Sequence, residues 1–158
     1  MATINREGFQ QLLEPVINFI REKKLDETLE NDLNREFPKS GETLIAIKQA
    51  CHDAIAAGWM CKYEGGGIKY GRVIKPAPET ANFSVDVVLM EDLAGPHHKH
   101  PQGEIDLIMP IDDSAEFDQQ GEGWMVKEAG SAHSPTVTNG AALVLYLLPN
   151  GEIEFTQL

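Results

Sequence analysis

The hydrophobic period of this chain changes once, at Gly58, and that change limits the folds open to it. Before Gly58 apolar residues recur at three- and four-residue spacing; after it they come in short runs separated by Gly, Pro and Asp. The first part reads as helices. Phe9, Leu12, Leu13, Val16, Ile17, Phe19 and Ile20 predict one over residues 6–23, with a kink or a late start at Pro15. A second is predicted from Asp26, its cap, to Glu36, with a thin stripe of Leu25, Leu29, Leu33 and Phe37. A third runs from Glu42 to Ala57 with Ser40 as cap. Leu44, Ile45, Ile47, Ala50, Cys51, Ala54 and Ile55 form its buried face, and Gly58 stops it. His52 falls on its polar side.

The second part reads as strands at Trp59–Tyr63, Ile68–Ile74, Phe83–Met90, Glu104–Met109, Gly123–Lys127, His133–Thr138, Ala141–Leu148 and Glu152–Thr156. Short strands with no helix between them predict a closed or two-sheet barrel of the jelly-roll type. The expected fold is mainly β. A helical part of about three helices (residues 1–58), packed on the barrel or on a partner subunit, precedes a barrel over residues 59–158.

One stretch of the β part carries chemistry: Gly95-Pro96-His97-His98-Lys99-His100-Pro101-Gln102-Gly103-Glu104. In an extended segment His98 and His100 project to the same side, because side chains alternate with period two. Glu104 follows a turn at Pro101 and Gly103, and His133 lies in a later Gly130-Ser131-Ala132-His133. A His-x-His pair alone is commonly a chance surface pair. With a carboxylate four residues on and a third imidazole downstream, the set suits a divalent ion such as Zn, Fe, Mn, Ni or Co. His97 has the opposite parity and is expected to point away.

Parity also selects residues beside this centre. Asp106 shares the side of Glu104 and Ile108. It reads either as a general acid or base, as Glu104 and His98 do beside it, or as a structural acceptor. Ile68, Tyr70, Arg72 and Ile74 are expected on one side of their strand. Basic residues are scarce, 13 against 25 acidic, so an anionic ligand needs a local cation. Arg72 is the candidate carboxylate anchor and Tyr70 a neighbouring hydroxyl donor. The other reading of Arg72 is an exposed strand arginine in a surface ion pair. Gly65-Gly66-Gly67 is a turn, not a phosphate loop, since neither a helix nor a Gly-Lys-Ser/Thr follows.

A net charge of −12 argues against nucleic acid or an anionic membrane as partner. There is no long apolar run, no leader-like N-terminus, and only Cys51 and Cys61, expected as reduced thiols. A cytoplasmic location is expected.

Gly95, His98, His100, Glu104, Gly130 and His133 resemble the two motifs of the cupins. Glu128 stands where a proline is usual, Ile111 where a glycine closes the first motif, and Val137 where the second has asparagine. A narrower likeness runs through Leu13–Val16, Gly66–Pro76, Phe83–Val88, Gly95–Pro110, Gly130–Val137 and Leu143–Pro149. These segments resemble the 4-hydroxylaminobenzoate lyases of bacterial nitrobenzoate breakdown. The resemblance implies conversion of 4-hydroxylaminobenzoate to 3,4-dihydroxybenzoate (protocatechuate) and ammonia, a small aromatic carboxylate as ligand, and no nucleotide cofactor. A homodimer is expected, as cupins are often dimers. Two other readings stay open: a metal-dependent cupin dioxygenase or isomerase acting on a small aromatic or sugar acid, and a non-catalytic small-acid-binding cupin.

Overall fold

The computed structural model describes residues 4–156. Met1–Thr3, the start of the segment read above as no leader, lie outside that range. The helices are α1 (Arg6–Ile20), α2 (Glu27–Glu36) and α3 (Glu42–Ala56). Asn5 caps α1 through Gly8 N–H and Asp26 caps α2 through Leu29 N–H, so one orphan amide of each first turn is satisfied. α1 starts at Arg6 and carries Pro15 inside it, so the late start does not occur. At α3 the N-cap is Gly41, with no side-chain hydrogen bond, rather than Ser40.

The strands are β1 (Tyr63–Gly65), β2 (Ile68–Ile74), β3 (Phe83–Ala94), β4 (His98–His100), β5 (Glu104–Pro110), β6 (Glu116–Phe117), β7 (Gly123–Lys127), β8 (Ser131–His133), β9 (Thr136–Pro149) and β10 (Glu154–Phe155). They form a mainly antiparallel, cupin-like sandwich. The large sheet runs β1-β2-β3-β9-β5-β7 with β6 beside β9, and the small one runs β10-β4-β8. Two expected strands are redrawn. Trp59–Cys61 turns instead of extending, with positive φ at Gly58 and Cys61, so β1 starts only at Tyr63. The run 133–138 is cut at Pro135, which cannot donate to a ladder. The chain leaves the small sheet at His133 and joins the large one at Thr136. Asn139 and Gly140, with positive φ, interrupt nothing: β9 continues through them and the irregularity appears as a register shift against β3.

Period two gives the large sheet two different faces. Val85, Ile105, Leu107, Trp124, Leu145 and Leu147 pack outward against Phe9, Leu13, Ile17, Leu33 and Ile47 of the helices in one apolar cluster. Met90, Ile108, Met125, Val144, Tyr146 and Leu148 pack inward in another. Ile45, expected in the buried face of α3, is 58% exposed. It flanks the Leu44–Ile47–Cys51–Ala54 stripe and lines a shallow recess with His52 and Lys48. α2 also closes the edge strand β7. Asn34 bonds both backbone groups of Trp124 at 3.0 and 2.9 Å, and Glu30 accepts the Val126 N–H at 2.9 Å.

Gly103 links β4 to β5 at φ +90, and a Cβ there would stand 2.6 Å from the Lys127 carbonyl oxygen. Gly103→Ala is expected to lower the stability by on the order of 2 kcal/mol. Chemical denaturation reads this directly, and an unchanged midpoint would show that the turn tolerates a side chain.

Candidate metal centre

The centre is assembled by two cross-strand relations and one turn. β4 pairs with β8 so that His98 faces His133 and His100 faces Ser131. The turn at Gly103 then brings Glu104 under them from the other sheet. Ligand atoms of His98, His100, Glu104 and His133 all lie within 4.8 Å of one another. The imidazoles stand edge to face, with His98 centroids 4.5 Å from His100 and 4.7 Å from His133. His98, His100 and Glu104 are buried, and the His133 side chain is 13% exposed.

The polar atoms inside this shell have no partner of their own. His98 Nε2, both nitrogens of His100, both Glu104 oxygens and His133 Nε2 are buried without a hydrogen bond. Glu104 lies 2.9 Å from His100 Nε2 and 3.1 Å from His133 Nε2, yet those nitrogens do not direct a hydrogen at it. Donor atoms that crowd within 4.8 Å of one another without bonding one another fit a divalent cation. The outer nitrogens support the same reading. His98 Nδ1 donates to the Pro96 carbonyl at 3.2 Å, and His133 Nδ1 donates to Asp118 Oδ2 at 2.6 Å, which leaves each Nε2 for the centre.

Charge follows from these contacts. Burial, then His100 and His133, lower His98 to about 4, so it is neutral. Burial acts to raise Glu104, but the His100 and His133 imidazoles outweigh it and hold the carboxyl at about 2. Burial opposes charge on His133, but Asp118 and Glu104 prevail and raise it to about 9. Burial likewise works to raise Asp118, whose bonds from His133 and the Thr136 N–H keep it below its ordinary value. Asp106 is fully buried behind Glu104. Burial, then the Glu104 charge, push it well up, since two touching carboxylates cannot both ionise.

A cavity of about 480 Å³ opens beside the centre. His98 lines it, with Tyr70, Arg72, Asp86 and Tyr146. Its walls are apolar, among them Ile68, Val88, Leu148 and Phe155. Asp106 is absent from those walls and reaches the site only through Glu104. Arg72 is held rather than free: Nε donates to Asp86 Oδ1 at 2.8 Å and Nη2 to the Gly151 carbonyl at 3.1 Å. Ser84 Oγ bonds the other Asp86 oxygen at 2.7 Å. A Cβ on Gly151, at φ +67, would stand 2.7 Å from the guanidinium. Ile74 does not share the side of Arg72 as expected. A register shift between Arg72 and Ile74 turns it to the helix-covered face. His97 bonds Thr156 and takes no part in the cluster.

Sequence reading missed Asp118, Asp86, Ser84 and Tyr146. Asp118 sits in the irregular segment between β6 and β7, where no periodicity marks it. Parity on Phe83–Met90 and Ala141–Leu148 could have set Asp86 and Tyr146 on the inner face, but not beside Arg72 and Asp106.

A three-histidine, one-glutamate cluster that could hold a metal ion thus lies inside a two-sheet β-sandwich of cupin-like fold. Among known proteins, the model of the PnbB 4-hydroxylaminobenzoate lyase family matches residues 11–155, and the chain belongs to that family. A 4-hydroxylaminobenzoate lyase of Pseudomonas putida is 31% identical over 153 residues, 86% of this chain and 87% of that one. One from Nocardioides sp. (strain LMS-CY) is 29% identical over 150 residues, 89% of each. A solved RmlC-like cupin protein from Ralstonia eutropha JMP134 covers 59% of this chain and 62% of its own, at 12% identity and a TM-score of 0.46. No helix of the described residues is long and apolar enough to cross a membrane.

The raised His133 gives the metal-free protein stability that is whole below its ordinary 6.5 and lost as pH climbs to about 9. Burial of Asp106 acts in the same direction. The melting temperature of chelator-treated protein is therefore expected to fall from pH 6.5 to 9, while affinity for Zn²⁺ rises as the His133 proton is displaced more easily. A flat or rising melting temperature would refute the ion pair. Asp118→Asn is expected to weaken metal affinity about 10- to 100-fold in chelator competition.

Proposed function

We propose that the chain converts 4-hydroxylaminobenzoate and water to 3,4-dihydroxybenzoate and ammonia. The observation that carries this is the cavity itself, with an arginine in one wall, apolar sides and His98 of the metal-type cluster in another wall. A flat ring with a carboxylate at one end and an N–OH group at the other matches that order of surfaces. Asp86 takes the Nε hydrogen and the Gly151 carbonyl one hydrogen of Nη2, so among the described residues Nη1 is the guanidinium nitrogen with no protein acceptor and offers a charged hydrogen bond to a carboxylate. Tyr70, 45% exposed at the mouth, is the neighbouring hydroxyl.

His98, His100, Glu104 and His133 are the residues to hold a divalent ion. Once bound, such an ion supplies a Lewis acid for the hydroxylamine oxygen. The reaction balances without outside electrons. The N–O bond breaks with its pair on oxygen, which takes up a proton and leaves as water. A water then adds to the ring carbon beside the nitrogen-bearing one and loses a proton. A second water hydrolyses the imine, ammonia departs, and the ketone enolises to the catechol. Apolar walls keep other nucleophiles from the electron-poor ring. Asp106, kept protonated by burial and by the Glu104 charge, is the group left for an acid–base part, while His98 gives its Nε2 to the centre.

Anaerobic incubation with 4-hydroxylaminobenzoate is expected to yield ammonia and 3,4-dihydroxybenzoate in equal amounts, and a chelator to stop it. Turnover surviving complete metal removal would remove the metal from the mechanism, and no product with any metal would sink the substrate assignment. Arg72→Ala should raise KM and the Kd of benzoate-type ligands roughly 10- to 100-fold with metal content intact. Unchanged affinity would release Arg72 from the anchor role.

A further inference from the structure

Tyr146 is a buried titratable group that this reaction leaves unused. It is 6% exposed, yet it lines the cavity together with His98, Arg72 and Asp86. It stands in register between Asp86 on β3 and Asp106 on β5, and Asp86 in turn faces Arg72 on β2. The inner face thus carries a row across four strands: guanidinium, carboxylate, phenol, carboxyl. Phe117 packs edge-on against the Tyr146 ring at 6.2 Å and holds its side. Among the described residues the Tyr146 hydroxyl enters no side-chain hydrogen bond, unlike its neighbour Asp86. Burial, then Asp106 and further carboxylates, push the phenol well above its ordinary range, so it stays a neutral hydroxyl.

Unlike the inner atoms of the metal-type cluster, the hydroxyl oxygen is open to the cavity, where a water or a ligand can bond it. Adjacent strands lie about 4.8 Å apart, so Tyr146 is two strands from Arg72 and one from the strand of Glu104. A para-substituted benzoate lying between those ends turns the edge of its ring, not either terminus, toward Tyr146. The carbon attacked by water, next to the nitrogen-bearing carbon, is on that edge.

Resting on the lyase reading, we propose that Tyr146 is a further catalytic residue, whose hydroxyl holds the water that adds to this carbon. The phenol oxygen accepts a hydrogen bond from the water and turns its lone pair to the ring. That pair forms the C–O bond at the carbon left electron-poor by N–O cleavage, and the surplus proton of the water passes to solvent.

Tyr146→Phe keeps the ring and removes only the hydroxyl. Its kcat is expected to fall about 10- to 100-fold, with KM within about twofold and metal content and melting temperature unchanged. A second readout needs no turnover. 3-Hydroxybenzoate carries an oxygen where the water would sit, so the metal-loaded protein should bind it about fivefold or more tightly than benzoate by calorimetry, and Tyr146→Phe should bind the two alike. A variant as fast as the unsubstituted protein, one that keeps the 3-hydroxybenzoate preference, or one that loses metal or folding stability with its activity would overturn the proposal. No product from the unsubstituted protein would overturn the lyase reading and this inference with it, whereas product formed equally fast by both proteins overturns this inference alone.

Discussion

A carboxylate with no exposure must be compensated, and Glu104 sets the terms for the rest of the site. His100 and His133 hold it ionised from two sides, and they come from different strands of the small sheet. Glu104 itself belongs to the large sheet. The anion therefore ties the two sheets together at one point, and any loss of strand pairing there leaves a buried charge. The same arrangement that stabilises the anion keeps the donor atoms of three imidazoles in one small volume. Asp106, two residues further along β5, is kept protonated first by its burial and then by that charge, and adds no second anion to the interior.

The helices matter to the site by occupying the other face. With α1–α3 packed on the outward side of the large sheet, its outer residues form an apolar core that needs nothing from the inner face. The inner face can then carry Arg72, Asp86, Tyr146 and Asp106 in one lateral row, a sequence of polar groups that an ordinary core would not hold. Two of them are answered locally, Arg72 by Asp86 and the Gly151 carbonyl and Asp86 also by Ser84, while Asp106 is kept neutral by burial and the Glu104 charge. The Tyr146 hydroxyl, facing the cavity, is left for a ligand or water. The cavity is thus lined by groups already held in place, which limits reorganisation when a ligand enters.

What could be read in the sequence was what depends on a few consecutive residues. Period two set His98 with His100 and Glu104 with Asp106, and the helical stripes marked α1 to α3 to within a few residues. Backbone chemistry decided where that reading ended. Pro135 cut one expected strand, a bulge after Arg72 reversed Ile74, and positive φ at Cys61 delayed β1. Each is a single residue overriding an alternating pattern.

The sequence by itself determined the class of fold, the set of donor atoms and the side of each strand they occupy, because side-chain direction is a short-range property of an extended or helical backbone. Only the tertiary structure decided which strands became neighbours. It brought Asp118 from an irregular segment to His133, laid Tyr146 between two carboxylates, and set the Gly151 turn against Arg72. Those meetings depend on register between distant segments, which is fixed by the packing of the whole sandwich and leaves no periodic trace in the chain.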